Sequence, residues 1–97
     1  MGGKIWLDLS MSTFFVYIVK TSNGNLYTGI AIDPIHRVFE HNNGSKGAKC
    51  LRGQRPVVLV WASDGQTRSQ ALKLENRIKK LSHKDKVLLV KRSRDGT

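Results

Sequence analysis

The feature that most constrains this chain is residues 14–41, FFVYIVKTSNGNLYTGIAIDPIHRVFEH, which combine a hairpin signal with a helix start. Residues 14–20 are rich in β-branched and aromatic side chains and are typical of a strand. Asn23-Gly24 marks a turn, because both residues accept positive φ. A second strand over residues 26–30 leads to Asp33-Pro34, an N-cap and a good first helical residue. The stretch therefore predicts strand, turn, strand and helix.

Four side chains able to do chemistry fall within this stretch, namely Tyr17, Tyr27, Arg37 and His41. The arginine and the histidine are four positions apart, so they share one helix face. A separate apolar stripe on the same helix is predicted to pack on the sheet, and it consists of Ile35, Val38 and Phe39. Two phenols, a guanidinium and an imidazole brought together indicate a functional site more than a core.

The register of the hairpin decides whether the two tyrosines can share that site. A two-residue Asn23-Gly24 loop would place Tyr17 and Tyr27 on opposite faces of the sheet. A loop with an odd number of residues, or a bulge, brings them to the same face. A shared site requires the second arrangement, and we therefore predict an odd loop or a bulge. Both faces of the first strand are apolar, so it is expected to be covered on both sides.

The remaining sequence predicts one more strand and two helices. Pro56 precedes the continuous apolar run 57–61, which is typical of a buried strand. Thr67 and Gln70 have the capping-box spacing and predict a helix to about Leu81, and Ser82 begins a final helix that reaches Lys91. The predicted fold class is α/β, a small three-stranded, mainly antiparallel sheet flanked by about three helices in the order ββαβαα. Residues 13–91 form its single domain, between a loosely ordered extension (1–12) and a basic tail (92–97).

The charge of the chain favours a polyanionic partner. Lys and Arg number 17 against 7 Asp and Glu, a net charge of +10 over 97 residues. No long basic amphipathic helix stands alone, so nucleic acid is preferred to a membrane surface. The glycine-rich segment 42–55 carries cations predicted to contact phosphates, although a solvated loop remains the alternative: Lys46, Lys49, Arg52 and Arg55.

Cysteine usage and hydropathy bear on the compartment. The single cysteine, Cys50, excludes an internal disulfide and favours a reducing environment. No apolar run approaches the length of a membrane span, and the first ten residues lack a signal-peptide pattern. A cytoplasmic, monomeric protein is expected.

Two triplets of the hairpin carry a resemblance to a known family. Residues 16–18 (VYI) and 27–29 (YTG) resemble the two halves of the GIY-YIG motif of the GIY-YIG nuclease superfamily, followed at the usual distance by a helix bearing Arg37. Residues 68–75 (RSQALKLE) resemble the second helix of that family, with its metal-binding glutamate at Glu75. The resemblance covers roughly residues 13–90 and is closest to the small stand-alone bacterial members. It departs from the motif at the first glycine, replaced by Phe15 or Val16, and at Thr28.

The resemblance implies the function and the roles of the site residues. It implies a metal-dependent nuclease that hydrolyses phosphodiester bonds in DNA, in repair or processing. Glu75 would bind a Mg²⁺ or Mn²⁺ ion that stays mostly hydrated, and Arg37 would neutralise charge at phosphorus. Three general bases remain open: Tyr17 or Tyr27, if positive charge lowers a pKa of about 10, or His41, with an ordinary pKa of about 6.5. Gly29 is interpreted as structural, clearing room for the substrate backbone or for Tyr17.

The residues by themselves also allow less specific interpretations. Tyr17 fits a packed aromatic with a satisfied hydroxyl, His41 a surface histidine, and Glu75 a boundary residue at the edge of an apolar helix stripe. The alternative function is accordingly a catalytically inactive nucleic-acid-binding module, or an accessory subunit whose protein partner presents the substrate. Cleavage that depends on Mg²⁺ or Mn²⁺ separates the nuclease from a module that only binds DNA.

Overall fold

The computed structural model describes residues 12–44 and 53–95. The elements in chain order are β1 (Phe15–Lys20), β2 (Leu26–Ala31), α1 (Pro34–Asn43), β3 (Val58–Ala62), α2 (Arg68–Lys79) and α3 (His83–Asp95). The strands form one antiparallel sheet in the order β2-β1-β3. The predicted α/β class and the order ββαβαα are therefore confirmed. None of the helices in the described ranges is long and apolar enough to cross a membrane.

The register of the hairpin places both tyrosines on one face of the sheet. Lys20 pairs with Leu26, so residues 21–25 form the connection, an odd number, with Gly24 at a φ of 88°. In the same register Tyr17 lies opposite Gly29, and Tyr27 lies opposite Val19. Directly opposed residues project to the same side of a sheet, and alternate residues of one strand do so too. The prediction of an odd loop is thus confirmed.

The central strand β1 is covered on both sides, as predicted. On one side a buried cluster joins β1 to α2, and it consists of Phe14, Val16, Ile18, Ala71 and Ile78. On the other side Val38 of α1 packs against a second cluster, which consists of Tyr17, Val19 and Val57. The core is therefore split in two by the sheet, with α2 and α3 on one side and α1 on the other.

The predicted helix starts are confirmed. The Asp33 side chain accepts a hydrogen bond from the His36 N–H at 3.1 Å. Thr67 forms the complete capping box with Gln70, at 3.1 Å in each direction. Ser82 Oγ accepts from the backbone N–H of Asp85, also at 3.1 Å. The last helix is longer than predicted, because α3 continues to Asp95 and so takes up most of the segment expected to be a tail.

Two expectations about packing were wrong. The stripe on α1 was expected to face the sheet, yet the side chain of Ile35 is 76% exposed and that of Phe39 is 62% exposed. The helix instead turns Val38 and the buried His41 towards β1. The apolar run 57–61 was expected to form a buried strand, but β3 lies at the edge of the sheet and Val58 is exposed. An edge strand has a partner on one side only, so its side chains remain partly open to solvent.

Candidate active site

The centre of the candidate site is a buried hydrogen bond between β1 and α1. Tyr17 Oη lies 3.0 Å from His41 Nε2. The tyrosine is only 2% exposed and the histidine only 1%, so water competes little for this bond. Tyr17 comes from the middle of the central strand and His41 from the last turn of α1, and the contact fixes the helix against the sheet. The site therefore begins as part of the second core cluster.

Tyr27 and Gly29 complete the strand side of the site. The ring of Tyr27 meets that of His41 edge to face, with centroids 5.8 Å apart. Gly29 is buried opposite Tyr17, and a Cβ atom at position 29 would lie 2.7 Å from Tyr17 Oη. Any side chain there would displace the phenol that bonds to His41. Of the two roles expected for this glycine, the geometry favours making room for Tyr17.

Arg37 lies on the partly exposed side of α1, next to a carboxylate that sequence reasoning did not single out. Its Nη1 atom is 3.2 Å from Glu40 Oε1, and its positive charge acts on the nearby Tyr17 hydroxyl. Glu40 is additionally 3.8 Å from His36 Nε2. The only sequence signal for this pairing is the three-residue spacing between Arg37 and Glu40, which puts them on neighbouring positions of one helix.

The electrostatics of the buried pair favour a neutral hydrogen bond. Burial, with the neighbouring Tyr27, raises the pKa of Tyr17 to about 12 even though Arg37 opposes the shift. Burial and the Arg37 charge lower the pKa of His41 below its ordinary value, against the attraction of Glu40. At neutral pH the phenol therefore keeps its proton and the imidazole is uncharged. A neutral ring protonated at Nδ1 accepts at Nε2 the hydrogen bond that the tyrosine donates.

Glu75 approaches this site from α2. Its carboxylate is close enough to contribute to the raised pKa of Tyr17, and its side chain is largely buried. Its ion-pair partner is Lys79, one turn along the helix, with 3.2 Å between Nζ and Oε2. Within residues 12–44 and 53–95, no group of three or more His, Cys, Asp or Glu side chains could hold a metal ion. A single carboxylate fits a Mg²⁺ ion, which retains several waters and also binds phosphate oxygens.

The C-terminal end of α1 is fastened to the segment before β3 by two side chains. Arg55 donates through Nε to the His41 carbonyl and through Nη2 to the Gly44 carbonyl, the latter at 2.7 Å. Asn42 accepts from the Val57 N–H at 2.7 Å and donates to the Val57 carbonyl at 3.0 Å. These bonds hold the helix turn that carries His41. Sequence reasoning missed Asn42, because nothing local in the sequence links it to a residue fifteen positions away.

Only one of the four cations predicted to contact phosphates lies within the described residues. The guanidinium of Arg55 is engaged with the carbonyls at the end of α1, a contact that the sequence did not indicate. Lys46, Lys49 and Arg52 lie outside the described residues. The five residues predicted as catalytic are nevertheless tied together: Tyr17, Arg37 and His41 by hydrogen bonds and electrostatics, Tyr27 by its ring contact, and Glu75 by its charge.

Comparison with known proteins agrees with this arrangement. Residues 13–87 match the model of the GIY-YIG catalytic domain. A UPF0213 protein of Desulfotalea psychrophila is 47% identical over 83 residues, which are 86% of this chain and 76% of that protein. UPF0213 proteins of Staphylococcus epidermidis and Staphylococcus aureus are each 48% identical, over 82% and 84% of this chain and 96% and 98% of their own length. No solved structure matches the chain significantly. This chain therefore belongs to the GIY-YIG nuclease superfamily and is similar to its small single-domain members.

Proposed function

We propose that this protein is a divalent-metal-dependent nuclease that hydrolyses phosphodiester bonds in DNA, in repair or processing. One observation carries the proposal: an imidazole, a phenol and a guanidinium converge at the Tyr17–His41 bond, with the Glu75 carboxylate close by. Phosphodiester hydrolysis needs a proton acceptor for water and positive charge at phosphorus, and these groups supply both. The net charge of +10 supports a polyanionic substrate.

His41 is the proton acceptor in this mechanism. With a pKa of about 12, Tyr17 carries a free phenolate in only about one molecule in 10⁵ at pH 7. The neutral imidazole at 3.0 Å removes that difficulty. Tyr17 passes its proton to His41 Nε2 as its oxygen takes the proton of the attacking water, so a hydroxide oxygen bonds to phosphorus while the scissile P–O bond breaks. The departing oxygen takes a proton from solvent, and His41 is left as an imidazolium ion. Glu40 lies beside the imidazole and stabilises its charged form.

Arg37 and Glu75 act on the phosphate. The partly exposed guanidinium of Arg37, held by Glu40, faces charge that grows on the phosphoryl oxygens in the transition state. Glu75 would hold the divalent ion, which when bound supplies further charge neutralisation at the phosphate. Its ion-pair partner Lys79 has an exposed side chain, and an ion pair with an exposed partner contributes little stability. The Glu75 carboxylate can therefore leave this ion pair and bind a metal ion at little cost in free energy.

Near-complete burial of two site residues favours a second candidate, a nucleic-acid-binding module without turnover. A tyrosine that is 2% exposed and a histidine that is 1% exposed also suit a purely structural bond between β1 and α1. In that case the basic surface binds DNA and no bond is cleaved.

Metal-dependent cleavage distinguishes the two. Branched, nicked, single-stranded and duplex DNA are incubated with Mg²⁺ or Mn²⁺, and chelator should abolish cleavage of at least one of them. Glu75→Gln keeps the size of the side chain and removes its charge, so it should abolish turnover and leave DNA binding equal or slightly tighter. Asp64→Asn, an exposed carboxylate outside the site, is the matched control and should cleave normally. Normal cleavage by Glu75→Gln would refute the metal-binding role of Glu75. Absence of metal-dependent cleavage of all four DNAs by the wild type, with binding retained, would leave only the binding module.

A further inference from the structure

A groove separate from the candidate site runs between the hairpin end and α3. Its volume is about 470 Å³, within the range of roughly 300–1,000 Å³ typical of ligand sites. Leu26, Val60 and Val90 line it and rest on the core cluster beneath, so its floor is apolar and fixed. Val87 forms a more open wall and is 43% exposed. None of the five predicted catalytic residues lines this groove.

The polar side chains that line the groove favour a negatively charged ligand. Lys20 comes from the end of β1, and Lys91 comes from α3. His83, at the start of α3, adds an imidazole ring that can stack on a planar ligand. Among the described residues that line the groove there is no carboxylate. Apolar walls with cations beside them suit a ligand that is anionic at one end and apolar at the other.

An unstacked nucleotide has this combination, whereas duplex DNA does not. A duplex presents phosphates to solvent and keeps the faces of its bases stacked, so it can meet the lysines but cannot fill the apolar floor. A nucleotide released from the stack offers its base to apolar or aromatic side chains and its phosphate to cations. The lysines match the phosphate and the apolar floor matches the unstacked base. Together they identify the occupant as a segment of a nucleic-acid strand.

The position of the groove connects it to the proposed reaction. Leu26 lines the groove and its neighbour Tyr27 belongs to the site, and consecutive residues of a strand point to opposite faces. The two places thus lie back to back across β2. We infer that this groove binds an unstacked nucleotide of the same substrate whose phosphodiester is cleaved at the Tyr17–His41 site. The inference rests on the proposed function and narrows the substrate class to nucleic acid with single-stranded or flapped regions.

The test measures binding with the full chain and two labelled probes. Fluorescence anisotropy is recorded with oligothymidylate and with a blunt hairpin duplex of equal length. Val87→Glu places a negative charge on the groove wall and should weaken oligothymidylate binding about tenfold or more, with a smaller loss for the duplex. Leu88→Glu is the matched control, since Leu88 is 47% exposed on the same helix and does not line the groove. Lys91→Ala should weaken binding a few-fold, more than Arg92→Ala.

The outcomes separate this inference from the proposed function. Val87→Trp fills the groove without adding charge, so it tests the same idea if Val87→Glu fails to fold. Equal affinities for the groove variants and their controls would overturn the inference, and would indicate another occupant such as a protein. That result would leave the nuclease proposal standing if the wild type still cleaves DNA. A wild type that binds neither probe would instead overturn the proposed function together with the inference.

Discussion

The two faces of β1 bury different chemistry within the same strand. One face meets α2 through aliphatic side chains, among them Val16 and Ile18, each with no solvent exposure. The other face meets α1 through the hydrogen bond between Tyr17 and His41. Burial of aliphatic side chains stabilises a fold whatever their relative orientation. Burial of two polar side chains costs free energy unless they form a well-aligned hydrogen bond. We conclude that the α2 face of β1 mainly supplies stability and that the α1 face holds the buried part of the site, which Glu75 approaches from α2.

The difference also explains where α1 leaves apolar surface exposed. The helix positions that face the sheet are occupied by Val38 and His41, so Ile35 and Phe39 point away from it. The contact between α1 and the sheet is therefore less apolar than the predicted stripe of Ile35, Val38 and Phe39 would have made it. The backbone bonds from Arg55 and Asn42 compensate by fastening the end of the helix.

After Glu75→Gln, the largest effect is expected from Arg37→Ala on the site face. Removing one preorganised electrostatic donor typically costs about 10²- to 10³-fold in rate. Because the charge that Arg37 meets grows in the transition state, turnover should fall much more than binding. Single-turnover cleavage and DNA titration on the same variant separate these quantities. Arg68→Ala, an exposed arginine at the start of α2, should retain full turnover, and an equal loss in both variants would contradict a specific role.

Tyr17→Phe tests whether the buried bond acts in catalysis or only in folding. The change preserves the ring and deletes the buried hydrogen bond to His41 Nε2. Loss of such a bond typically costs about 0.5–1.5 kcal/mol of stability. In the proposed relay it should also reduce the cleavage rate at temperatures where the variant is fully folded. Denaturant unfolding and single-turnover rates give the two effects separately. A destabilised variant with normal cleavage would assign the bond to structure and leave Tyr27 or His41 to activate water directly.

The lowered pKa of His41 predicts a pH effect on stability. The folded protein binds the imidazole proton less readily than the unfolded chain, so the contribution of this group is complete above its unfolded pKa of about 6.5 and is lost as pH falls towards the folded value. Wild-type protein should therefore lose more unfolding free energy between about pH 7 and pH 5 than His41→Gln does. Denaturant titrations at each pH measure this. His36→Gln, on the exposed side of α1, is the control, and an identical pH slope in wild type and His41→Gln would refute the prediction.

The smallest effects come from one substitution made at two positions. Ile18→Val, in the aliphatic core, should cost about 0.5–1.5 kcal/mol. Ile35→Val, at a side chain that is 76% exposed, should stay within about 0.5 kcal/mol of wild type. The midpoint of denaturant unfolding compares them directly. A comparable loss in both variants would mean that Ile35 is covered in solution, contrary to its exposure in this structure.

The sequence alone determined the features that depend on neighbours close along the chain. The caps at Asp33, Thr67 and Ser82 each bond a backbone N–H three residues ahead, and all three could be predicted from spacing. The hairpin and its odd connection followed from the turn residues together with the requirement that Tyr17 and Tyr27 share a face. Those two tyrosines, with Arg37 and His41, were singled out by their chemistry within one short stretch, and the family resemblance added Glu75.

The tertiary structure decided what depends on contacts between distant segments. Which side of α1 meets the sheet was settled by the bond from His41 to Tyr17, 24 residues earlier, and helix periodicity alone favoured Ile35 and Phe39. The link from Arg55 to the end of α1 likewise joins parts of the chain that no local pattern relates. The physical reason is that caps and turns are closed within a few residues, whereas burial is a competition among all surfaces that fold together.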